Sequence, residues 1–254
     1  MGARKAVLGE LLIRNFSPMS PVVESYRALR TNLRFLAAER PIRSVLVTSP
    51  RPQEGKTLVS ANLALTLADA GYRVVLLDGD LRRAQVHRTF GLDGRTGLSN
   101  VLAADAQVGE VLHEVGVPNL RVVPAGPKPP NPAELLGSIR MARVLEELAL
   151  QANIVVVDSP PVLAVTDPLV LAAATDGVLL VLRARAGPYS AAREAKARLE
   201  QVHARLLGVV LNQAPTRGRG SGYSSYSDYY GEEDERPSEA RARRPSAGRG
   251  GKGR

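Results

Sequence analysis

Apolar residues follow two different periods along this chain, and the two alternate. Short continuous runs at 45–47, 73–77, 154–157, 177–183 and 207–211 read as strands buried on both faces. Between them the apolar positions recur at helical spacing: Val22, Tyr26, Leu29, Leu33 and Leu36 from Pro21 to about Arg40, then Leu58, Ala61, Leu65 and Ala68 after Thr57. Leu135, Leu136, Ile139, Val144, Leu145 and Leu148 predict one amphipathic helix over 133–150. Further helices are expected at about 97–102, 166–175 and 190–206, and a strand and turn at 120–126. Gly71 is placed to end the second helix. Strands alternating with helices imply an α/β fold, a doubly wound and mostly parallel sheet covered on both faces through right-handed crossovers. Residues 1–20 lack strong periodicity and read as a flexible arm, 21–213 as the folded domain, and 214–254 as a disordered tail.

Composition narrows the class. With 254 residues and 44% hydrophobic content the chain can bury one sizeable core, and 4% aromatic content makes that core mainly Val, Leu and Ala. There is no cysteine, which excludes disulfides and thiolate metal sites, and His87, His113 and His203 have no ligand spacing. No apolar run approaches the roughly 18–20 residues of a membrane span, and no signal-peptide segment opens the chain, so a cytoplasmic location is expected unless a partner holds it at a membrane. The net charge of +9 is concentrated at the end: residues 236–254 carry seven Lys/Arg against one Glu, the pattern of a solvated tail.

Candidate chemistry lies where strands end. The strand at 45–47 breaks into Ser49-Pro-Arg-Pro-Gln53-Glu54-Gly55-Lys56-Thr57 and then into a helix, the context of a P-loop NTPase. Its cradle is the backbone of Gln53, Glu54, Gly55, Lys56, Thr57 and Leu58, since Pro52 cannot donate and Pro50 stands at the motif's first glycine. Lys56 would reach the β/γ-phosphates of ATP, Thr57 would ligate Mg²⁺, and Glu54 must turn its carboxylate away. The next strand ends in Asp78-Gly-Asp80-Leu-Arg-Arg83, two carboxylates on the crevice side of the sheet. One can orient the metal shell while the other takes a proton from an attacking hydroxyl. A further apolar strand ends in Asp158-Ser-Pro-Pro161, a Walker-B pattern whose acid would hold the Mg²⁺ shell. On the first helix Glu24, Arg27 and Arg30 share one face, either solvated or an interface to a neighbouring subunit.

Tyr223, Tyr226, Tyr229 and Tyr230 place four of the seven tyrosines within eight residues of a Gly/Ser-rich segment that cannot form a core. They could stack on single-stranded nucleic acid or accept phosphate. Asp228, Glu232, Glu233, Asp234 and Glu235 would repel a nucleic-acid backbone, which favours phosphoacceptors and makes nucleic acid an unfavoured partner.

This ordered set resembles the bacterial tyrosine kinases that control capsular and exopolysaccharide synthesis, in the short form without a fused membrane domain, over roughly residues 20–230. The resemblance rests on Glu24-x-x-Arg27-x-x-Arg30, Gly55-Lys56-Thr57, 77–83, Gly97-Leu-Ser99, Pro124-Ala-Gly126 with the Pro-Pro-Asn-Pro stretch to Leu136, 158–161 and the tyrosine cluster. It implies MgATP on Lys56 and Thr57, Asp78 as the group that deprotonates the acceptor, and Asp80 and Asp158 at the metal. Asn212, after the last strand, would read adenine as in related P-loop ATPases. It also implies ring-like self-association through Glu24, Arg27 and Arg30, with one subunit's tyrosines entering its neighbour's site. A separate membrane protein of the chain-length-regulator type would activate the enzyme, and other tyrosine-containing proteins are conceivable substrates. Gln53 stands where many members have Gly, and Ala84 where Pro is common. Arg51 occupies the place of the cross-subunit lysine of partitioning and cell-division ATPases, so a non-kinase ATPase switch is the alternative.

Overall fold

In the computed structural model, which describes residues 8–215, a seven-stranded sheet has the order β3-β4-β2-β5-β1-β6-β7. Its strands are β1 (Ser44–Thr48), β2 (Val74–Asp78), β3 (His113–Glu114), β4 (Leu120–Val123), β5 (Ile154–Asp158), β6 (Gly177–Arg183) and β7 (Leu206–Asn212). All neighbouring strands pair in parallel except β3, a two-residue edge strand antiparallel to β4. The apolar runs make β1, β2 and β5 buried at every position, as a sheet covered on both faces requires.

Two hydrophobic layers result. One face packs α1 (Pro21–Glu39) and α2 (Lys56–Asp69) on the sheet through Leu33, Leu63, Leu65 and Val156. The other is covered from α4 (Leu98–Ala103), α6 (Ile139–Gln151), α7 (Asp167–Ala174) and α8 (Tyr189–Gln201) through Leu98, Met141, Leu171 and Leu199. Ser20 caps α1, its hydroxyl accepting from the Val22 N–H at 3.2 Å with Pro21 at the first helical position. The short helices α3 (Val86–Thr89) and α5 (Pro132–Leu136) complete the set.

Several expectations need correction. Residues 8–15 form two 3₁₀ turns, Leu8–Leu11 and Ile13–Asn15, rather than belonging to a flexible arm. Ile13 is buried, and Asn62 of α2 holds the segment, accepting from the Ile13 N–H at 2.9 Å and donating to the Leu11 carbonyl at 3.3 Å. On α1 it is Val23, not Val22, that joins Tyr26 and Leu33 in the core. The helix expected over 133–150 is two, because Gly137 ends α5 and Ser138 starts α6, its Oγ accepting from the Met141 N–H at 3.3 Å. The apolar spacing runs unbroken across that joint. Finally, α8 stops at Gln201 and β7 already begins at Leu206. The tyrosine cluster and the basic end lie outside the described residues.

Candidate active site

The site collects at the carboxyl ends of β1, β2 and β5, which lie side by side in the middle of the sheet. Parallel strands place every following loop on one edge, and this is where open α/β sheets bind ligands.

After β1 the chain turns through 49–55 and enters α2 at Lys56. Two internal bonds shape the loop: the Ser49 hydroxyl donates to the Arg51 carbonyl at 2.8 Å, and the Arg51 N–H donates to Glu54 Oε2 at 3.1 Å. The Glu54 carboxylate is thus turned into its own loop, where burial pushes its pKa up. Gln53 and Gly55 both adopt left-handed backbone, at φ 66° and 90°. Gln53 bears the side-chain cost of that conformation where glycine would not. At Gly55 a side chain is also excluded by contact, because a Cβ would come within 2.0 Å of Asn212 Nδ2. Asn212, the last residue of β7, donates that amide to the Glu54 carbonyl at 2.9 Å and so ties the phosphate loop to the sheet's far strand. Gly55→Ala is therefore expected to lower stability and nucleotide affinity together. Adding Asn212→Ala should recover only part, since the clash is removed and the positive φ remains; thermal melts and ADP titration of the single and double variants test this.

The first turn of α2 points its polar groups at the other two strands. Lys56 Nζ lies 3.2 Å from Asp80 Oδ2, with both side chains largely buried. Burial alone would lower the lysine's pKa, but the charges of Asp158 and then Asp80 outweigh it and hold the ammonium above its ordinary value. The Thr57 hydroxyl donates to Asp158 Oδ2 at 2.7 Å, and Ser60, one turn on, places its Oγ 3.1 Å from Asp158 Oδ1. Leu58 follows Thr57 in the same turn and is partly exposed.

Asp78 and Asp158 are directly paired in the β2–β5 register, which fixes their spacing by the sheet itself. Gly79 allows the approach: its N–H donates to the Asp158 carbonyl at 2.8 Å, and a Cβ there would stand 2.8 Å from the same oxygen. Asp78 is fully buried and accepts from backbone only, Oδ1 from the Asp80 N–H at 3.2 Å, Oδ2 from the N–H groups of Gln85 at 3.2 Å and Val86 at 3.0 Å. Burial, then the charge of Asp158, pushes its pKa up to about 8. Asp158 is raised as well, again chiefly by burial. Asp80 accepts the Arg83 N–H on Oδ1 at 2.9 Å and gives its other oxygen to Lys56.

Lys56, Thr57, Asp78, Asp80 and Asp158 are therefore brought together, with Gly55 and Asn212 behind them. Among the described residues no three His, Cys, Asp or Glu side chains form a ready-made metal cage. A cation here would need oxygens from a bound nucleotide, and the hard donors Thr57 and Asp158, held 2.7 Å apart, suit Mg²⁺. The helix residues Glu24 and Arg27 pair at 3.3 Å on the surface, while Arg30 donates to the Thr66 carbonyl of α2 at 3.4 Å, within its own chain.

Sequence reasoning missed Ser60, although its position three residues after Thr57 puts it on the same helix face. It also missed the clamp on the Asp80 loop. Arg82 donates from Nε at 2.8 Å and Nη2 at 2.9 Å to the fully buried Asp167 at the start of α7, a bidentate pair joining the β2 and β5 loops. No local pattern joins residues 85 positions apart.

Comparison with known proteins agrees with this arrangement. The AAA domain family matches residues 53–205. CapB of Staphylococcus aureus is 37% identical over 233 residues, covering 92% of this chain and all of CapB. The tyrosine-protein kinase YwqD of Bacillus subtilis is 37% identical over 219 residues, 85% of this chain and 90% of YwqD. The chain belongs to the bacterial tyrosine kinases. Solved structures of that family superpose on it: the chimerical protein CapA2B2 with a TM-score of 0.78 and 35% identity, over 81% of this chain and 91% of that one. The kinase domain of the Escherichia coli tyrosine kinase ETK gives 0.72 and 35%, over 77% and 78%. The septum site-determining protein MinD of Pyrococcus horikoshii, at TM-score 0.60 and 22% identity over 73% and 76%, shares the fold. The P-loop of this tyrosine kinase family is a nucleotide site, and no helix among the described residues is long and apolar enough to cross a membrane.

Proposed function

We propose that this protein transfers the γ-phosphoryl of MgATP to tyrosine, acting in trans on Tyr223, Tyr226, Tyr229 and Tyr230 of another copy, and so regulates capsular or exopolysaccharide synthesis and export. The observation that carries the reading is the register pairing of Asp78 with Asp158, met from the phosphate loop by Lys56 and Thr57. The first turn of α2 and the N–H groups of the loop would hold the phosphates, with Lys56 reaching the transferred group. Asn212, bonded to the phosphate loop at the Glu54 carbonyl, would read the adenine. Mg²⁺, held by Thr57 with Asp80 and Asp158, would supply charge neutralisation as the phosphoryl group moves. The tyrosine oxygen forms the new P–O bond, ADP leaves, and the phenol proton passes to Asp78. In the nucleotide-free protein burial raises the Asp78 carboxyl above the ordinary range, towards a phenol that titrates near 10.

Ring-like self-association through the Glu24, Arg27, Arg30 face would bring one copy's tyrosines to the next copy's site. A separate membrane protein of the chain-length-regulator type would activate the enzyme and place it at the inner face of the membrane, and the CapA2B2 chimera among its structural neighbours supports this. Other tyrosine-bearing proteins fall within reach of the same chemistry. Incubation with Mg²⁺ and γ-labelled ATP, with and without the cytoplasmic segment of a candidate activator, followed by peptide mapping of 218–235, tests the reading. Label on the four tyrosines that vanishes in Lys56→Met is expected. ATP hydrolysis with bare tyrosines, activator present, would instead support a switch ATPase of the partitioning or cell-division type, for which Arg51 in the loop speaks.

A further inference from the structure

Five loops leave the carboxyl ends of β1, β2, β4, β5 and β6, spanning residues 49–55, 79–85, 124–131, 159–166 and 184–188. Their exposed charged side chains are Arg51, Arg82, Arg83, Lys128 and Arg185, all cationic; the acids in these loops, Glu54 and Asp80, are buried. Of these five cations only Arg82 has an ion-pair partner among the described residues, Asp167. The active-site edge thus has an acidic interior and a basic rim.

The rim extends to both sides of the phosphate loop. In the order β4-β2-β5-β1-β6, Lys128 and Arg185 follow the two outermost strands, four strand spacings apart. At about 4.8 Å per spacing that is roughly 19 Å. An extended peptide of about six residues covers the same length. Lys128 sits beyond Asp78, on the side away from the phosphate loop, where an acceptor rather than ATP would lie. The β6 loop closes the other side, since a Cβ on Gly187 would stand 4.0 Å from Glu54 Oε1.

We propose that this rim selects acceptor tyrosines flanked by carboxylates, carried on an extended segment that lies along the outside of the rim, over the nucleotide's place, from the β4 loop to the β6 loop. The inference rests on the kinase reading and names its substrate class. The chain's own stretch from Tyr223 to Glu235 has that composition, with Asp228 between tyrosines and Glu232, Glu233, Asp234 and Glu235 directly after them. Acids that weigh against a nucleic-acid partner are what a cationic rim would attract.

The test compares three synthetic peptides of residues 221–235: the native one, one with all five acids changed to their amides, and one with the acids changed to lysine. Full-length protein with Lys56 intact is the enzyme, and steady-state phosphorylation is followed at low and high salt. The amide peptide is expected to show a KM about sixteenfold higher, from a factor of about two for each of the four uncommitted cations that loses a partner. The lysine peptide should be poorer still, and the differences should shrink as salt rises. In Lys128→Ala/Arg185→Ala, preference for the native over the amide peptide should fall by about fourfold, a factor of about two for each cation removed. That variant should keep the parent's kcat on the amide peptide and its KM for ATP. Equal KM for native and amide peptides overturns the proposal, as does an unchanged preference in the double variant. A single-stranded oligonucleotide that displaces the native peptide at lower concentration than the peptide itself binds also overturns it, assigning the rim to nucleic acid. If the protein labels its own tail but none of the peptides, the rim proposal fails alone; if nothing is labelled, the kinase reading fails with it.

Discussion

Replacing Asp78 by asparagine is expected to lower kcat for tyrosine phosphorylation by about 10²–10⁴, the range for loss of a positioned general base, while ADP affinity stays within a few-fold. The two effects separate because the hydrogen bonds of Asp78 go to the backbone of its own loop and the start of α3, and none to the phosphate loop. The same variant carries a second signature. In the unfolded chain this carboxyl titrates near 3.8, and in the folded one burial and the charge of Asp158 lift it to about 8. A group whose folded value is the higher one contributes stability that is complete at low pH and lost as pH rises through the folded value. The nucleotide-free parent, in chelator, should therefore lose stability progressively from about pH 4 to about pH 8 and level off above it, and Asp78→Asn should lose less. Melting temperatures across that window check this; a gap between variant and parent that does not change with pH would remove the buried-carboxyl argument.

Lys56→Met should abolish phosphoryl transfer and also weaken the empty protein. Its ammonium is the cation that faces Asp80 at 3.2 Å and offsets the charge of Asp158, and both acids are buried. Removing one partner of a buried pair strands the other, at a typical cost of about 3–5 kcal/mol. The lysine side chain is 14% exposed, so solvent takes the cost below that range, to about 2–3 kcal/mol. For a domain of this size that is roughly 4–12 °C in melting temperature. The deficit should narrow at low pH, because Asp158, held above the ordinary carboxylate range by burial, then takes up a proton. Combining Lys56→Met with Asp80→Asn should recover most of the lost stability and none of the activity. A double variant as unstable as the single one would show that the ion pair is not what the lysine contributes.

The parts of this fold that could be read from the chain are those where burial is complete. β1, β2 and β5 are continuous apolar runs because both faces are covered, and each ends where polarity returns, at the loop or the acid that does the chemistry. The junction of α5 and α6 was hidden because apolar spacing continues through Gly137 and Ser138, so periodicity sees one helix where backbone capping makes two. The turns at 8–15 were hidden for the opposite reason: a single core residue, Ile13, and one buried amide, Asn62, fasten them without any period. Within the site, Lys56, Thr57, Asp78, Asp80 and Asp158 were legible from motif order. What orients them was not. The N–H groups of Gln85 and Val86 have no side-chain signature, and the Arg82–Asp167 pair depends on two loops meeting in space.

The ladder between β2 and β5 also bears on how such a site can vary over generations. Because Asp78 and Asp158 are opposed within hydrogen-bonded strands, their separation is inherited from the backbone and not from the loops that follow. Lengthening or shortening the segments after Gly79 or Ser159 leaves the two carboxyls facing one another. An insertion of one residue inside either strand, by contrast, turns an acid out of the crevice and an apolar side chain into it. Drift in acceptor choice is thus free to accumulate in the loops while the reacting pair stays fixed.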